Sequence, residues 1–328
     1  MTRAAVVAVD VGGTKIRTGS VIDDSVGHLR EVPTPAAAGR EAILDSIAEV
    51  AHAVMTDAAE APGGPDLRWR VGLGSAGVID PETGTVVSAT DSLTGWTGTR
   101  LTAGLRDRLG LETRAVNDVH AHALGEALAG AARGTRSCLL VAAGTGIGGG
   151  LITAGRLLTG RHAAAGHIGH MPVASAQALP CPCGGVGHVE AIASGPAILA
   201  AHRLAGGGNV TSTRELAQVA AAGDAIAARA FDRAGRALGS ALGGLANVLS
   251  PEAIVISGGL AGAGEPWWRP MREAFEAELI PAVRGLELAP AELGQDAALI
   301  GAASLWSADH GYSGSIDGTS DNTSEETD

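Results

Sequence analysis

Aromatic side chains are nearly missing from this 328-residue chain: Phe, Trp and Tyr together make up 2% of it. A core of stacked rings is therefore excluded, and the interior must come from Val, Leu, Ile and Ala, within an apolar fraction of 45% that is enough for a full core. Basic charge is scarce as well. The formal net charge of −12 argues against a nucleic-acid partner, which would need a basic face. No apolar run is long enough to span a bilayer, so no membrane role is expected. Ala4 to Val9 is too short for the apolar part of an export signal and ends in Asp10. Cysteine is limited to three residues. Cys138 lies in an apolar run and reads as a buried, inert thiol. Cys181 and Cys183 are two apart, a poor spacing for a disulfide with each other and a good one for a metal. This usage points to a reducing cytoplasm.

Glycine is what the chain has in quantity, 49 residues, several in clusters that suggest tight turns beside a ligand. The length suits two lobes. A buried strand from Val6 to Asp10 ends in Gly12-Gly13-Thr14, and a second strand runs from Ile16 to Ile22. Ile43, Ile47, Val50 and Val54 recur at helical spacing within 40–59. A loop at 61–65, a strand at 69–74, a helix at 99–109 and a short strand at 114–116 follow, the last running into Asn117-Asp118 and a helix from about 119. Then the opening theme returns. A strand at 139–143 leads into Gly144-Thr145-Gly146-Ile147-Gly148-Gly149-Gly150 and a further strand at 151–153. Helices are expected over 191–204 and 224–249, a strand over 253–257 closed by Gly258-Gly259, and a last helix near 297–307. From Ser313 onward there are five acids and no base, the composition of a disordered, solubilising tail.

Strand, glycine turn and strand thus occur twice. Two such hairpins facing each other could hold one polyphosphate from both sides through backbone N–H groups. In the first, Asp10 could also hold Mg²⁺ through water; the plain alternative is an ordinary hairpin with an acid at its turn. The second contains a G-x-G-x-x-G match, but its glycines run into a strand and no acid occurs between Glu126 and Glu190. A nicotinamide cofactor is therefore not expected, and no Gly-Lys-Ser/Thr follows to make a nucleotide P-loop. At Asn117-Asp118, a carboxylate at the end of an inner strand lies where α/β sheets bind ligands. Asp118 could orient an attacking hydroxyl and accept its proton, with Asn117 beside it; either residue could equally be a helix N-cap. Finally, His170 followed by Cys181-Pro182-Cys183 and His188 supplies two thiolates and two imidazoles, a closed tetrahedral set that suits a structural zinc. The alternative is a pair of free cysteines in a glycine loop.

Taken in order, these segments resemble the ROK family of sugar kinases and sugar-responsive repressors: Asp10-x-Gly12-Gly13-Thr14, Asn117-Asp118, Gly144-Thr145-Gly146-x-Gly148-Gly149, Gly169-His170 and Cys181-x-Cys183-Gly184-x-x-Gly187-x-x-Glu190. The resemblance covers about residues 4 to 308. It implies a two-lobed actin-like (ribonuclease H-like) ATPase fold, with ATP and a hexose in the cleft. The implied division is a small lobe over 1–116, a large lobe with the zinc loop over 117–296, a helix at 297–308 packing back on the small lobe, and a disordered acidic tail at 311–328. It implies Asp118 as catalytic base and Thr90, Asn117, His167, His170 and Glu190 as sugar contacts, with His170 also a zinc ligand. ATP and Mg²⁺ would meet Asp10, Gly12, Gly13, Thr14, Gly144, Thr145 and Gly146, with Gly258 and Gly259 near the adenine.

Two positions depart from the family pattern. His188 stands where the family carries a third zinc cysteine. His167 stands where the family has a Glu that binds sugar hydroxyls. The resulting Gly166-His167-Ile168-Gly169-His170, with Glu190 to Gly195, is similar to the N-acetylmannosamine kinases of the family, while glucose and N-acetylglucosamine are the other acceptors to weigh. Asp10 stands too near the first residue for the helix-turn-helix that precedes this motif in the family's repressors, which leaves a kinase, or a sugar-binding protein without catalysis. A homodimer is the family's and the soluble enzymes' usual state.

Overall fold

The computed structural model describes residues 3–61, 67–90 and 92–307. The loop expected at 61–65 and the acidic tail therefore lie wholly or largely outside the described residues. In chain order the first half comprises β1 (Arg3–Val11), β2 (Lys15–Ile22), β3 (Ser25–Pro33), α1 (Arg40–Glu60), β4 (Leu67–Ser75), β5 (Val78–Ile79), β6 (Val86–Ser88), α2 (Leu101–Leu109), β7 (Thr113–Asn117) and α3 (Asp118–Ala129). The second half comprises β8 (Cys138–Ala143), β9 (Ile147–Thr153), β10 (Arg156–Leu158), α4 (Glu190–Ala193), α5 (Gly195–Leu204), α6 (Thr213–Ala221), α7 (Ala225–Leu249), β11 (Ala253–Ser257), α8 (Glu265–Glu278), β12 (Leu288–Pro290) and α9 (Asp296–Ser304).

The two halves repeat one topology. Their sheets have the orders β3-β2-β1-β4-β7 and β10-β9-β8-β11-β12. In each, a glycine-turned antiparallel meander is followed by parallel strands on the far side of its first strand. Apolar residues on both faces of β1 and β8 allow each to be covered twice. Val7, Val9 and Val11 pack with Ile43, Ile47 and Val54 of α1 and Leu101 and Leu105 of α2. Ala8, on the other face, packs with Leu299 and Ala302 of α9. Leu139 and Val141 of β8 face Phe231 and Leu238 of α7 and Trp267 and Phe275 of α8. Leu140 faces Ala123 and Leu124 of α3. The layers therefore run α1/α2, first sheet, α3/α9, second sheet, α4–α8, which is the two-lobed actin-like arrangement.

The middle layer is unusually close. A Cβ on Gly125 would stand 2.0 Å from the Ala297 carbonyl oxygen, and one on Gly301 only 1.8 Å from that of Ala121. Glycine at these positions lets α3 and α9 touch backbone to backbone. Three expected elements take other bounds. The strand after the second glycine cluster begins at Ile147, not Leu151, so Gly148 to Gly150 belong to β9. They run under α3, where a Cβ on Gly150 would come within 2.5 Å of the Ala123 Cβ. The helix expected over 191–204 breaks at Ser194, whose hydroxyl accepts the Ala197 N–H at 3.4 Å to cap α5, with Pro196 in the first turn. The last helix ends at Ser304.

Candidate active site

The C-terminal edge of the parallel strands β1, β4 and β7 aligns Val11 with Ser75 and Ser75 with Asn117. One residue earlier, Asp10 pairs with Gly74, and Gly74 with Val116. A Cβ on Gly74 would lie 3.6 Å from the Asp118 Cα and 3.9 Å from Asp10 Oδ1. The two acids thus flank the same glycine, a proximity that the sequence alone did not reveal. Burial, and then the negative charge of Asp118, push the Asp10 carboxyl up to about 7, against the pull of Arg17 and Lys15.

Asn117 caps α3. Its Oδ1 accepts the His120 N–H at 3.1 Å. Its amide donates to the Gly77 carbonyl at 2.9 Å and to Asp118 Oδ1 at 2.8 Å. The Val119 N–H also donates to Asp118 Oδ1, at 2.9 Å. Both amide hydrogens of Asn117 are thus committed, and Asp118 Oδ1 is fixed by two donors. The N-cap expected at this pair is made by Asn117.

The first hairpin is closed by the Gly12 N–H donating to the Lys15 carbonyl at 3.0 Å and braced by the Thr34 hydroxyl donating to the Gly12 carbonyl at 2.8 Å. Its tip faces the segment after β6: a Cβ on Gly13 would stand 3.6 Å from that of Ser92, and Ser92 Oγ lies 3.0 Å from Thr90 Oγ1. Thr14 and Thr90 are exposed. Trp96, 1% exposed, anchors this segment by donating from Nε1 to Ser75 Oγ and the Ala76 carbonyl, both at 3.2 Å.

On the second sheet, the turn from Gly144 to Gly146 lies against two other elements. The Gly195 N–H at the start of α5 donates to the Gly144 carbonyl at 2.8 Å, and the Gly259 nitrogen would be 3.8 Å from a Cβ on Gly144. Gly258, with φ +90°, packs directly on Ala143. Thr145 is exposed at the tip between them. Glu190 Oε2 accepts the Ile147 N–H at 2.7 Å and would be 2.7 Å from a Cβ on Gly146. Glu190, an expected sugar contact, supports the second hairpin.

His167, exposed, lies beside His170 with ring centroids 6.2 Å apart, and its Nδ1 contacts the Ala164 carbonyl at 2.9 Å. A carbonyl only accepts, so Nδ1 carries a hydrogen and donates this bond, leaving Nε2 as the ring's other polar atom. His120 is buried and contacts the Ala165 carbonyl at 2.9 Å through Nε2. It ties α3 to the segment carrying His167, and only the fold brings these together.

The donor atoms of His170, Cys181, Cys183 and His188 all lie within 4.8 Å of one another. Cys181 Sγ is 3.7 Å from His170 Nδ1, and Cys183 Sγ is 3.2 Å from His188 Nδ1. Tetrahedral zinc, with bonds of about 2.0–2.3 Å, separates its donors by about 3.3–3.8 Å; these two contacts lie close to that range, and the chemistry of the four donors is compatible with zinc. Burial pushes the Cys181 thiol up and the His170 imidazole down. The first of these shifts must be overcome for a thiolate to bind metal.

Comparison with known proteins agrees with this architecture. Residues 6–309 match the ROK family. The chain is 34% identical over 321 residues to a glucokinase of Thermotoga maritima, covering 93% of this chain and 98% of that one. It is 35% identical over 301 residues to an N-acetylmannosamine kinase of Citrobacter koseri, covering 91% and 97%. Among solved structures, a ROK family glucokinase from Streptomyces griseus in complex with glucose and AMPPNP superposes with a TM-score of 0.75 at 32% identity, covering 92% and 98%. With the family match spanning nearly all the described residues and relatives above 30% identity over nine-tenths of its length, this chain belongs to the ROK family.

Proposed function

We propose that this ROK sugar kinase transfers the terminal phosphoryl group of ATP to the 6-hydroxyl of a hexose, with N-acetylmannosamine as its preferred acceptor. The observation that carries the transfer is the carboxylate of Asp118, held by Asn117 and the Val119 N–H at the sheet edge beside Asp10. Asp118 orients the attacking hydroxyl and accepts its proton. Glu190, His167, His170 and Thr90 bind the sugar. The two glycine turns, with Thr14 and Thr145 at their tips, offer backbone N–H groups to the phosphates, and Gly258 and Gly259 border the adenine. Mg²⁺, held near Asp10 through water, would neutralise phosphate charge. Closure of the lobes excludes water as a competing acceptor. Zinc on His170, Cys181, Cys183 and His188 would pin the loop that carries His170 and Glu190. A cytoplasmic location belongs to the same reading, in keeping with the absence, among the described residues, of any helix long and apolar enough to cross a membrane.

His167 supports the amino sugar. With Nδ1 committed to Ala164, it offers one ring nitrogen, Nε2, where the family's Glu offers two carboxylate oxygens. The glucokinase relatives favour glucose as a second reading. Sugar-dependent ADP release with Mg-ATP decides between them. Preference for N-acetylmannosamine over glucose and N-acetylglucosamine supports the first, and preference for glucose supports the second. Release with none of the three counts against the kinase reading. Asp118→Asn should keep the fold and sugar binding while turnover falls ~10²-fold or more; turnover near wild type would remove Asp118 from its role.

A further inference from the structure

We propose that Arg17 is a positioning residue for phosphoryl transfer, fixing the Asp10 carboxylate between the first phosphate hairpin and the start of α9; this rests on the kinase reading above. Asp10 and Arg17 are direct partners across the antiparallel β1–β2 pair, so their side chains leave the same face as neighbours. One arm of the guanidinium is already used. Its Nη2 donates to Asp296 Oδ1 at 2.7 Å, in the first turn of α9, and the side chain is only 14% exposed. The other arm is not used: Nη1 is buried and has no hydrogen-bond partner among the described residues. A buried donor left without an acceptor is costly, and the register puts an acid next to this one.

Lys15 and Arg17 are the two cations whose charge acts on Asp10. Lys15 is drawn to Glu31 at 2.8 Å and Gln295 at 3.1 Å, in contacts open to solvent. Arg17 is the buried one, with donor capacity in reserve. A planar fork can hold Asp296 with one nitrogen and a second anion with the other, which the point charge of a lysine cannot do with the same geometry. Arg17 would therefore couple the acid beside the phosphate hairpin to α9, the helix that packs against β1 and β4. No bond is made or broken at Arg17; its effect is on where Asp10 sits when Mg-nucleotide arrives.

Arg17→Met, Arg17→Lys and Asp296→Asn test this by Mg²⁺ titration of sugar-dependent ADP release and by calorimetric binding of Mg-ADP. For Arg17→Met we expect the half-maximal Mg²⁺ concentration to rise, and Mg-ADP affinity to fall, by about 10-fold to 100-fold, as for residues that orient metal ligands. The KM for sugar should stay near wild type. Asp296→Asn should shift both in the same direction but less, and Arg17→Lys should lie between Arg17→Met and wild type. An Arg17→Met protein that melts earlier yet keeps wild-type Mg²⁺ response and Mg-ADP affinity would overturn the proposal and leave a structural ion pair. So would a rise in sugar KM matching the loss of Mg-ADP affinity. If Arg17→Met does not fold, the Asp296→Asn titrations decide by the same criteria. Should the wild type show no sugar-dependent release, the kinase reading fails, and the calorimetric arm still decides the role of Arg17.

Discussion

At the residue scale, the pair of acids beside Gly74 has a measurable cost. Asp10 is raised from 3.8 to about 7, chiefly by burial and then by Asp118. A carboxyl with a raised folded-state pKa binds its proton more tightly folded than unfolded. Its contribution therefore favours folding at low pH and is lost as pH rises from about 4 to about 7, after which the cost of burying the charge is complete. Asp10→Asn removes that cost. In Mg²⁺-free buffer the variant should melt above wild type by about 3–8 °C at pH 8, with a clearly smaller gain at pH 5. Thermal unfolding at the two pH values checks this, and an equal gain at both would show that Asp10 is not held up by its surroundings. The same variant should lose most of its kinase activity, the ordinary outcome where a site is built at the expense of stability. Of this site, sequence supplied the residue types and the strand ends. It could not supply the closeness of Asp10 to Asp118, because that depends on β4 lying between β1 and β7 with Gly74 at the crossing point.

At the element scale, the segment from His170 to Glu190 has short 3-10 turns and isolated bridges, Pro172 to His188 and Pro180 to Val186, so little regular structure holds it. The Cys/His cluster is the natural fastening. Purified protein should carry about one zinc per chain. Cys183→Ser should lower that content and raise the KM for sugar about tenfold, with a smaller effect on the KM for ATP, because His170 and Glu190 stand at the two ends of the segment. His188→Cys should retain the metal. Metal analysis alongside steady-state kinetics gives both readouts, and an unchanged sugar KM in a zinc-free Cys183→Ser protein would detach the loop from the site. Elements whose apolar spacing is regular were legible, α1 and α7 nearly to the residue. Others went unread although they carry signals. Ser212 and Glu215 form the start of α6, the Glu215 N–H donating to Ser212 Oγ at 3.2 Å. Trp267, Trp268, Met271 and Phe275 mark the buried face of α8. The short strands β5, β6, β10 and β12 have no such signal, since they exist only by pairing with neighbours.

At the scale of the whole molecule, the duplicated strand and glycine turn foretold two lobes, but not that α3 and α9 would form one layer between them. The chain passes from the first sheet to the second through Asn117-Asp118, and returns through the residues between β12 and α9. The return is held by Glu126 of α3, which is fully buried and accepts three backbone N–H groups. Those of Ala131 and Glu292 reach Oε2 at 2.8 and 3.2 Å, and that of Leu293 reaches Oε1 at 2.9 Å. A carboxylate is the one side chain of this size that accepts on both oxygens, so the donors define it. Glu126→Gln keeps the shape but replaces one acceptor by an NH₂ group. If the amide oxygen serves Ala131 and Glu292, the NH₂ meets the Leu293 N–H, donor against donor; the flipped rotamer strands two donors in place of one. The loss should be about 1–3 kcal/mol, read as a lower urea midpoint at unchanged slope. Because the clamp grips the crossing between the sheets, the same variant should also weaken the coupling between sugar binding and ATP affinity, measured as the ratio of ATP affinities with and without sugar. A stability loss with that ratio intact would make Glu126 a prop for α3 alone, and lobe movement would then turn on Asn117-Asp118.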